Sequence, residues 1–467
     1  MNDRAEIVPS SFRDPSGFLF RRKGSLYRQV NHSYKEQYRK LMNSGLYEEL
    51  VSEGLLLKHE EVNVDHPTPT RAQAYKVIKP EYLSFISYPY EWCFTQLKEA
   101  ALTTLKIQKK AFDFGMVLKD ASAYNIQFRG CNPVHIDTLS FEKYQEGEPW
   151  VAYRQFCRHF LAPLAIMAYI DAKLNRLSRI FIDGIPLELA SSLLPWNSRF
   201  RFTLLSHIHL HARSQSHFAD QNSSPEAAHQ TEREMNTTSF RGLIDSLESA
   251  ISNLSWKSKD TLWSNYYGGS SNYSSQALEH KQEVVSQFLD EKDPVEVWDL
   301  GANVGLFSRI SAEKGARTIS FDLDPACVET NYLKSRENSQ LNILPLVLDL
   351  TNPSPGIGWK NEERLSLKER GPADTALALA LIHHLAISNN TPFTKIASFL
   401  AELCNSLIVE FVPKKDPQAQ KLLASREDVF SDYTRENFET AFKDYFCISG
   451  QEKLRDSDRS IYLMEKS

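Results

Sequence analysis

VEVWDLGANVGLFS, residues 295–308, followed by RTISFDLDP, residues 317–325, decides how this chain is read. Apolar residues with an acid at the exit (Val295, Val297, Trp298, Asp299) predict a buried parallel strand. Gly301 and Gly305 then let the backbone turn tightly and come close to a ligand at the N-terminus of a following helix. A second strand is predicted over 318–321, ending at Asp322. That acid lies about 20 residues on, where doubly wound nucleotide-binding folds place a carboxylate on a ribose hydroxyl pair. A ribose-bearing cofactor is expected. The plainer readings are ordinary turn glycines and, for Asp322, a solvated strand end or a helix cap, since Asp324-Pro325 is itself a helix-start signal.

The turn also narrows the cofactor. Dinucleotide folds favour G-x-G-x-x-G beneath a pyrophosphate, whereas DLGANVG has Asn303 in the middle place and Ser308 where the third glycine would fall. Asp299, a carboxylate at the mouth of the first strand, repels a pyrophosphate but pairs with an ammonium group. A ligand carrying ribose, adenine and an amino acid end fits better, and S-adenosylmethionine is such a ligand.

From about Trp263 to the C-terminus the chain resembles the class I S-adenosylmethionine-dependent methyltransferases. DLGANVG, Asp322 in FDLDP, Asp349 in LPLVLDL and Asp374 with LALALIHHL occur in the family's order, and LIVEF (407–411), YFCIS (445–449) and SIYLME (460–465) supply its late strands. The resemblance implies a doubly wound, Rossmann-like α/β sheet, with Asp349 where that family contacts adenine. Turn chemistry before Asn352-Pro353 is the plainer account of Asp349. Upstream, residues 265–289 read as a loop leading into a helix over the cofactor, with Tyr273 either touching the methionine end or simply packing.

Methyl transfer asks for little covalent help, because a sulfonium already activates the methyl group. The protein must align a nucleophile and exclude water, and a base is needed only where the nucleophile has a proton to lose. His383 and His384, after the fourth strand, stand where a strand exit would face the methyl; Glu410 at the end of LIVEF is a comparable candidate. Their plainer readings are loop packing and a solvated strand end.

The N-terminal half carries a second resemblance. GMVLKDASAYNIQFRGCNPVHIDTLSF (115–141) places Asn125 five residues after Asp120, then Asp137 after a second apolar run. This resembles the catalytic loop and metal-binding Asp of the protein-kinase and aminoglycoside-phosphotransferase superfamily, which implies an α+β, kinase-like fold in which Asp120, Asn125 and Asp137 would serve magnesium-dependent phosphoryl transfer. The departures favour a scaffold. No glycine-rich phosphate loop is visible, Arg28 in LYRQV stands where a kinase shows its Lys, no His precedes Asp120, and Thr138-Leu139 follows Asp137 rather than Phe-Gly. The segment GFLFRRKGSLYRQV (17–30) predicts a hairpin turning at Lys23-Gly24, and residues 147–177 predict a helical stretch that Pro163 kinks or divides.

Three parts are expected: an N-terminal α+β domain over 1–211, a polar linker or flexible insert over 212–239, and the methyltransferase domain over 240–467. The stretch 212–239 has almost no large apolar residues with which to order itself. His207, His209 and His211 recur at period two, but no carboxylate or Cys partner is near, so no metal is expected. Six scattered cysteines without C-x-x-C pairs argue against a disulfide framework, and a mostly buried, reduced set is expected. No apolar run of about 18 residues and no signal-peptide pattern is present, so a cytoplasmic protein without membrane contact is expected. A formal charge of −5 leaves no electrostatic footprint for DNA; the acceptor is expected to be a small molecule or glycan, with protein or RNA as alternatives. As a whole the chain is similar to the bacterial two-domain, nodulation-protein-like methyltransferases. Two other classes stay open: a phosphotransferase acting through the first half, and a non-catalytic protein that binds S-adenosylmethionine.

Overall fold

The computed structural model describes residues 5–62, 70, 73–210, 235–257, 274–338, 340–424 and 427–467. The chain divides into two compact units. The first is Met1–Lys257 together with Ile357–Arg364, and the second is Ser258–Gly356 together with Leu365–Ser467.

The first unit is α+β. Its main sheet is antiparallel, built from β1 (Glu6–Ile7), β2 (Gly17–Arg22), β3 (Ser25–Asn31), β4 (His59–Val62) and β5 (Ala74–Pro80) in the order β1-β2-β3-β5-β4. The β2–β3 hairpin turns at Lys23-Gly24, as expected, with both residues at positive φ (49° and 78°), the backbone twist that a two-residue hairpin loop requires. Two smaller pairs follow: β6 (Met116–Leu118) with β9 (Phe141–Lys143), and β7 (Ile126–Arg129) with β8 (Asn132–His135).

Helix Phe94–Asp113 buries Leu97, Ala101, Thr104, Leu105, Gln108 and Ala111, a stripe at three-or-four spacing. Helix Thr237–Ser252 packs on it: the Phe112 and Phe240 rings stack with centroids 4.4 Å apart, and Lys109 pairs with Asp245 and Glu248 at 2.7 and 2.6 Å. By packing, the units therefore part at Lys257/Ser258; the polar stretch 212–239 falls inside the first unit's range, with 212–234 outside the described residues. The helical stretch around Pro163 is divided, running as Tyr153–Phe156, a wider turn over Cys157–Leu161, and Ala162–Tyr169. Pro163 sits in the first turn of the last piece, directly after the wider turn, and the Arg158 carbonyl in that wider turn accepts the Ile185 N–H at 3.0 Å. Ile357–Arg364 is fastened within this unit by Arg13, whose guanidinium meets Glu363 at 2.7 Å, and by Arg364, which lies 4.1 Å over the Tyr124 ring.

The second unit is the expected doubly wound sheet. Its strands are β10 (Glu296–Leu300), β11 (Arg317–Asp322), β12 (Ile343–Val347), β13 (Ala373–Ala378), β14 (Cys404–Phe411), β15 (Phe446–Lys453) and β16 (Ser460–Lys466), in the order β12-β11-β10-β13-β14-β16-β15. The first five in that order are parallel, and β16 runs antiparallel between β14 and β15. The chain enters at the middle, winds outward through β11 and β12, and returns to β13 on the other side of β10. The crevice beyond the carboxyl ends of β10 and β13 is thus a topological switch point, where open α/β sheets bind ligands. Val297, Trp298, Asp299 and Leu300 are all buried, whereas Val295 lies before the strand and is exposed. Val285, Phe288, Val297, Phe307, Leu377, Ile408 and Leu463 share one apolar cluster, each contributing on the order of 1.5–3 kcal/mol by leaving water. Five cysteines are buried and Cys447 is exposed, all of them free.

Candidate functional site

The turn after β10 is shaped by three residues at positive φ: Gly301 (81°), Asn303 (51°) and Gly305 (78°). The N–H groups of Gly301 and Ala302 both donate to the Phe321 carbonyl at 2.9 Å, tying the turn to β11. A Cβ on Gly305 would stand 1.9 Å from Asn331 Oδ1. Gly305 therefore serves close packing of helix Leu306–Glu313 against helix Pro325–Glu337 as well as the turn itself.

Two carboxylates flank this turn. Asp322 Oδ2 accepts the Asn303 N–H and Oδ1 accepts the Asp324 N–H, each at 2.8 Å. Burial pushes its pKa up to about 6 against those bonds. A carboxylate offers about four lone-pair directions, so acceptor capacity is left for a pair of ligand hydroxyls. Asp299, 2% exposed, accepts the Ser308 hydroxyl at 2.6 Å. Burial raises it to about 6 as well, opposed by Ser308 and reinforced by the charge of Asp322. Ser308, which occupies the third-glycine place, is thus the donor that orients Asp299. An arriving ammonium would relieve the crowding of these two acids, and a pyrophosphate would worsen it.

Asp349 follows β12 and is half-buried. Its Oδ1 accepts the N–H and hydroxyl of Thr351 at 3.0 and 2.6 Å, the turn chemistry set against the adenine role above. Leu348 N–H donates to the Asp322 carbonyl at 2.8 Å, which brings the β12 exit beside the acid of β11. Tyr273 lies outside the described residues.

Beyond β13 the loop reaches His383 and His384, whose ring centroids are 4.2 Å apart. His383 is fully buried, with neither ring nitrogen hydrogen-bonded among the described residues. Burial holds its pKa well below the usual imidazole range and brings His384 down to about 4; Arg459 adds to both shifts. Both rings are neutral at pH 7.

Glu410 is completely buried at the end of β14, and its partners are in place. Its Oε2 takes Lys281 Nζ at 2.6 Å and the Ala380 N–H at 2.8 Å, while Arg459 stands 3.4 Å from Oε1. Arg459 also forks onto Asp416 at 2.7 and 2.9 Å. Burial works to lower the Lys281 pKa, Glu410 opposes it, and Asp299 adds a weaker raising influence. Sequence reasoning missed Lys281 and Arg459. The signal for Lys281 was its place in the apolar stripe Ala277, Lys281, Val284, Val285, Phe288 of helix Ser275–Lys292. Arg459 has no such local sign, because Asp416 lies 43 residues away.

In the first unit the kinase-like trio is engaged locally. Arg28 grips Asp137 Oδ1 at 2.6 Å, and Ser140 and the Leu139 N–H donate to the same carboxylate. Burial works to raise the Asp137 pKa, but Arg28 and these bonds hold it below the usual range. Asp120 accepts the Ser122 N–H and Gln155, and Asn125 donates to Ser140. His207 bridges Tyr153 and Ser246, and His209 bridges Ser191 and Ser198, while His211 lies outside the described residues. Among the described residues no group of His, Cys, Asp and Glu is disposed to hold a metal.

No family model matches the chain. The nodulation protein NoeA of Rhizobium meliloti (strain 1021) is 34% identical to it over 462 residues, spanning 98% of this chain and 96% of that protein. This chain belongs to the NoeA family. Among solved structures, the NoeA-family chain is similar to magnesium protoporphyrin IX methyltransferase ChlM from Synechocystis PCC 6803 with bound SAH, at 19% identity and a TM-score of 0.31, over 41% of this chain and 84% of that one. The bifunctional kinase-methyltransferase WbdD matches at 18% identity and a TM-score of 0.29, over 43% of this chain and 42% of that one. The N-methyltransferase NodS from Bradyrhizobium japonicum WM9 matches at 9% identity and a TM-score of 0.30, over 41% and 97%. At these values the strand order of the NoeA-family chain itself carries the fold.

Proposed function

We infer that this NoeA-family protein is an S-adenosylmethionine-dependent methyltransferase whose second unit transfers a methyl group to a small molecule or glycan. The observation that carries the reading is the pair of carboxylates, buried Asp299 and half-buried Asp322, flanking a positive-φ turn at the switch point of a doubly wound sheet. Asp299 takes the ammonium of the amino acid end, the Gly301–Gly305 turn with Asn303 lies against that end, Asp322 takes the ribose hydroxyls and Asp349 the adenine.

When bound, the cofactor supplies a methyl already activated by its sulfonium. The residues of the chain then align an acceptor and exclude water. Of His383 and His384, the latter, half-buried and neutral at pH 7, is the base toward an acceptor hydroxyl or amine, while His383 is fully buried beside it. Glu410, bound on both oxygens, holds the loop that carries them rather than moving a proton. The formal charge of −5 supports a small molecule or glycan over a nucleic acid.

Calorimetric titration with S-adenosylmethionine, S-adenosylhomocysteine and NAD tests the reading. Binding of the first two, lost in Asp322→Ala, is expected. Equal affinity in Asp322→Ala and the parent would sink the ribose assignment, and binding of NAD alone would sink the reading as a whole.

A further inference from the structure

The first unit carries an exposed surface of aromatic and cationic side chains. Leu193, Trp196, Phe200 and Phe202 are exposed together, the last three by 69%, 71% and 78% of their area. They belong to the short turns Leu187–Leu193, Trp196–Phe200 and Phe202–Leu204, each packed against the turn Leu205–Leu210, so they share one region of surface. The Trp196 and Phe200 rings meet edge to face with centroids 4.7 Å apart. Arg199 and Arg201 alternate with the rings and are exposed too, and neither forms an ion pair with the described residues.

We propose that this face contacts a membrane surface, taking a layer of anionic lipid headgroups. Alternation of ring and guanidinium along Arg199-Phe200-Arg201-Phe202 cannot be buried in the core without burying charge, so the strip has to satisfy both chemistries outside the unit. A folded partner would have to offer acids at fixed places between ring-sized hollows. Lipid headgroups are mobile and negatively charged, so they meet both guanidiniums wherever these stand, while Trp196, Phe200 and Phe202 enter the acyl boundary. The net charge of −5 does not oppose this, because charges farther off than a Debye length of about 10 Å are screened. Contact of this kind is peripheral and departs from the sequence-based expectation of no membrane contact: no helix among the described residues is long and apolar enough to cross a membrane.

Co-sedimentation of the full chain with phosphatidylcholine vesicles, with and without phosphatidylglycerol, tests the proposal independently of methyl transfer. Binding is expected only with phosphatidylglycerol. It should weaken about fivefold for each of Arg199→Gln and Arg201→Gln, and vanish in the combined Trp196→Ser, Phe200→Ser, Phe202→Ser variant. Absence of binding to either vesicle, or binding that both sets of variants leave unchanged, overturns it. So does a parent chain that self-associates in sedimentation without lipid while the triple serine variant stays monomeric, since the face would then be a protein interface.

Discussion

Glu410 accepts the backbone N–H of Ala380 at 2.8 Å while the same oxygen holds Lys281 at 2.6 Å. Ala380 is in the left-handed region (φ 49°), a conformation that costs an alanine on the order of 1–2 kcal/mol and that the buried carboxylate maintains. The loop bearing His383 and His384 is thus anchored at its start by an ion pair that reaches back to helix Ser275–Lys292.

Lys281→Met leaves buried Glu410 with only the longer contact to Arg459, and Glu410→Gln removes the carboxylate that holds buried Lys281; each should destabilise the chain by about 3–5 kcal/mol, read from urea unfolding. The double variant should cost clearly less than the sum, because it removes both charges together. Additive losses would show that the two side chains do not act as a pair.

Asp299 and Asp322 give opposite pH signatures for stability and for ligand binding. A carboxyl whose folded pKa is raised contributes stability that is complete below its unfolded value of 3.8 and is lost as the pH rises through about 6. Unfolding free energies of the parent and Asp299→Asn should therefore converge as the pH falls from 7 to 5, the variant being the more stable at pH 7. Affinity for S-adenosylmethionine should fall over the same interval, by up to roughly tenfold per pH unit for each acid that must be ionised.

His384→Ala should lower kcat by about 10²–10⁴-fold if the ring accepts the acceptor's proton, with S-adenosylmethionine affinity little changed. Single-turnover kinetics with calorimetry separates the two. With a pKa near 4, His384 should leave kcat flat from pH 6 to 8. A drop in cofactor affinity equal to the drop in rate would move His384 to the cofactor side.

Arg28 fills the place at Asp137 that a magnesium ion would need, so titration with magnesium-ATP should give no binding heat. Arg28→Met leaves a largely buried carboxylate with only its neutral donors Ser140 and Leu139 and should cost about 3 kcal/mol in unfolding free energy. Nucleotide binding that Asp137→Ala abolishes would instead place phosphoryl chemistry in the first unit.

The parts of the second unit that were readable in advance are those governed by neighbours in sequence. The run 296–300, the turn glycines and Asp322 declare a strand, a turn and a strand exit through periodicity and φ preferences alone. Ser308 looked like a missing glycine and is a hydrogen-bond donor to Asp299, a role that shows only once the helix brings the two side chains together. Glu410 looked like a substrate contact or a solvated strand end; its burial depends on Lys281, 129 residues earlier, and on Arg459, 49 residues later, and no local pattern encodes such pairs. In the first unit the β2–β3 hairpin was legible from Lys23-Gly24, whereas the grip of Arg28 on Asp137 joins residues more than a hundred positions apart.

The assignment of Ile357–Arg364 to the first unit bears on how the chain comes into being. A polypeptide emerges from the ribosome N-terminus first, and domains ordinarily fold as they appear. Here Arg13 and Tyr124 wait for Glu363 and Arg364, which are made only after β10, β11 and β12. The two units therefore mature in overlapping order, and a chain arrested after residue 257 would hold a first unit still lacking its final piece.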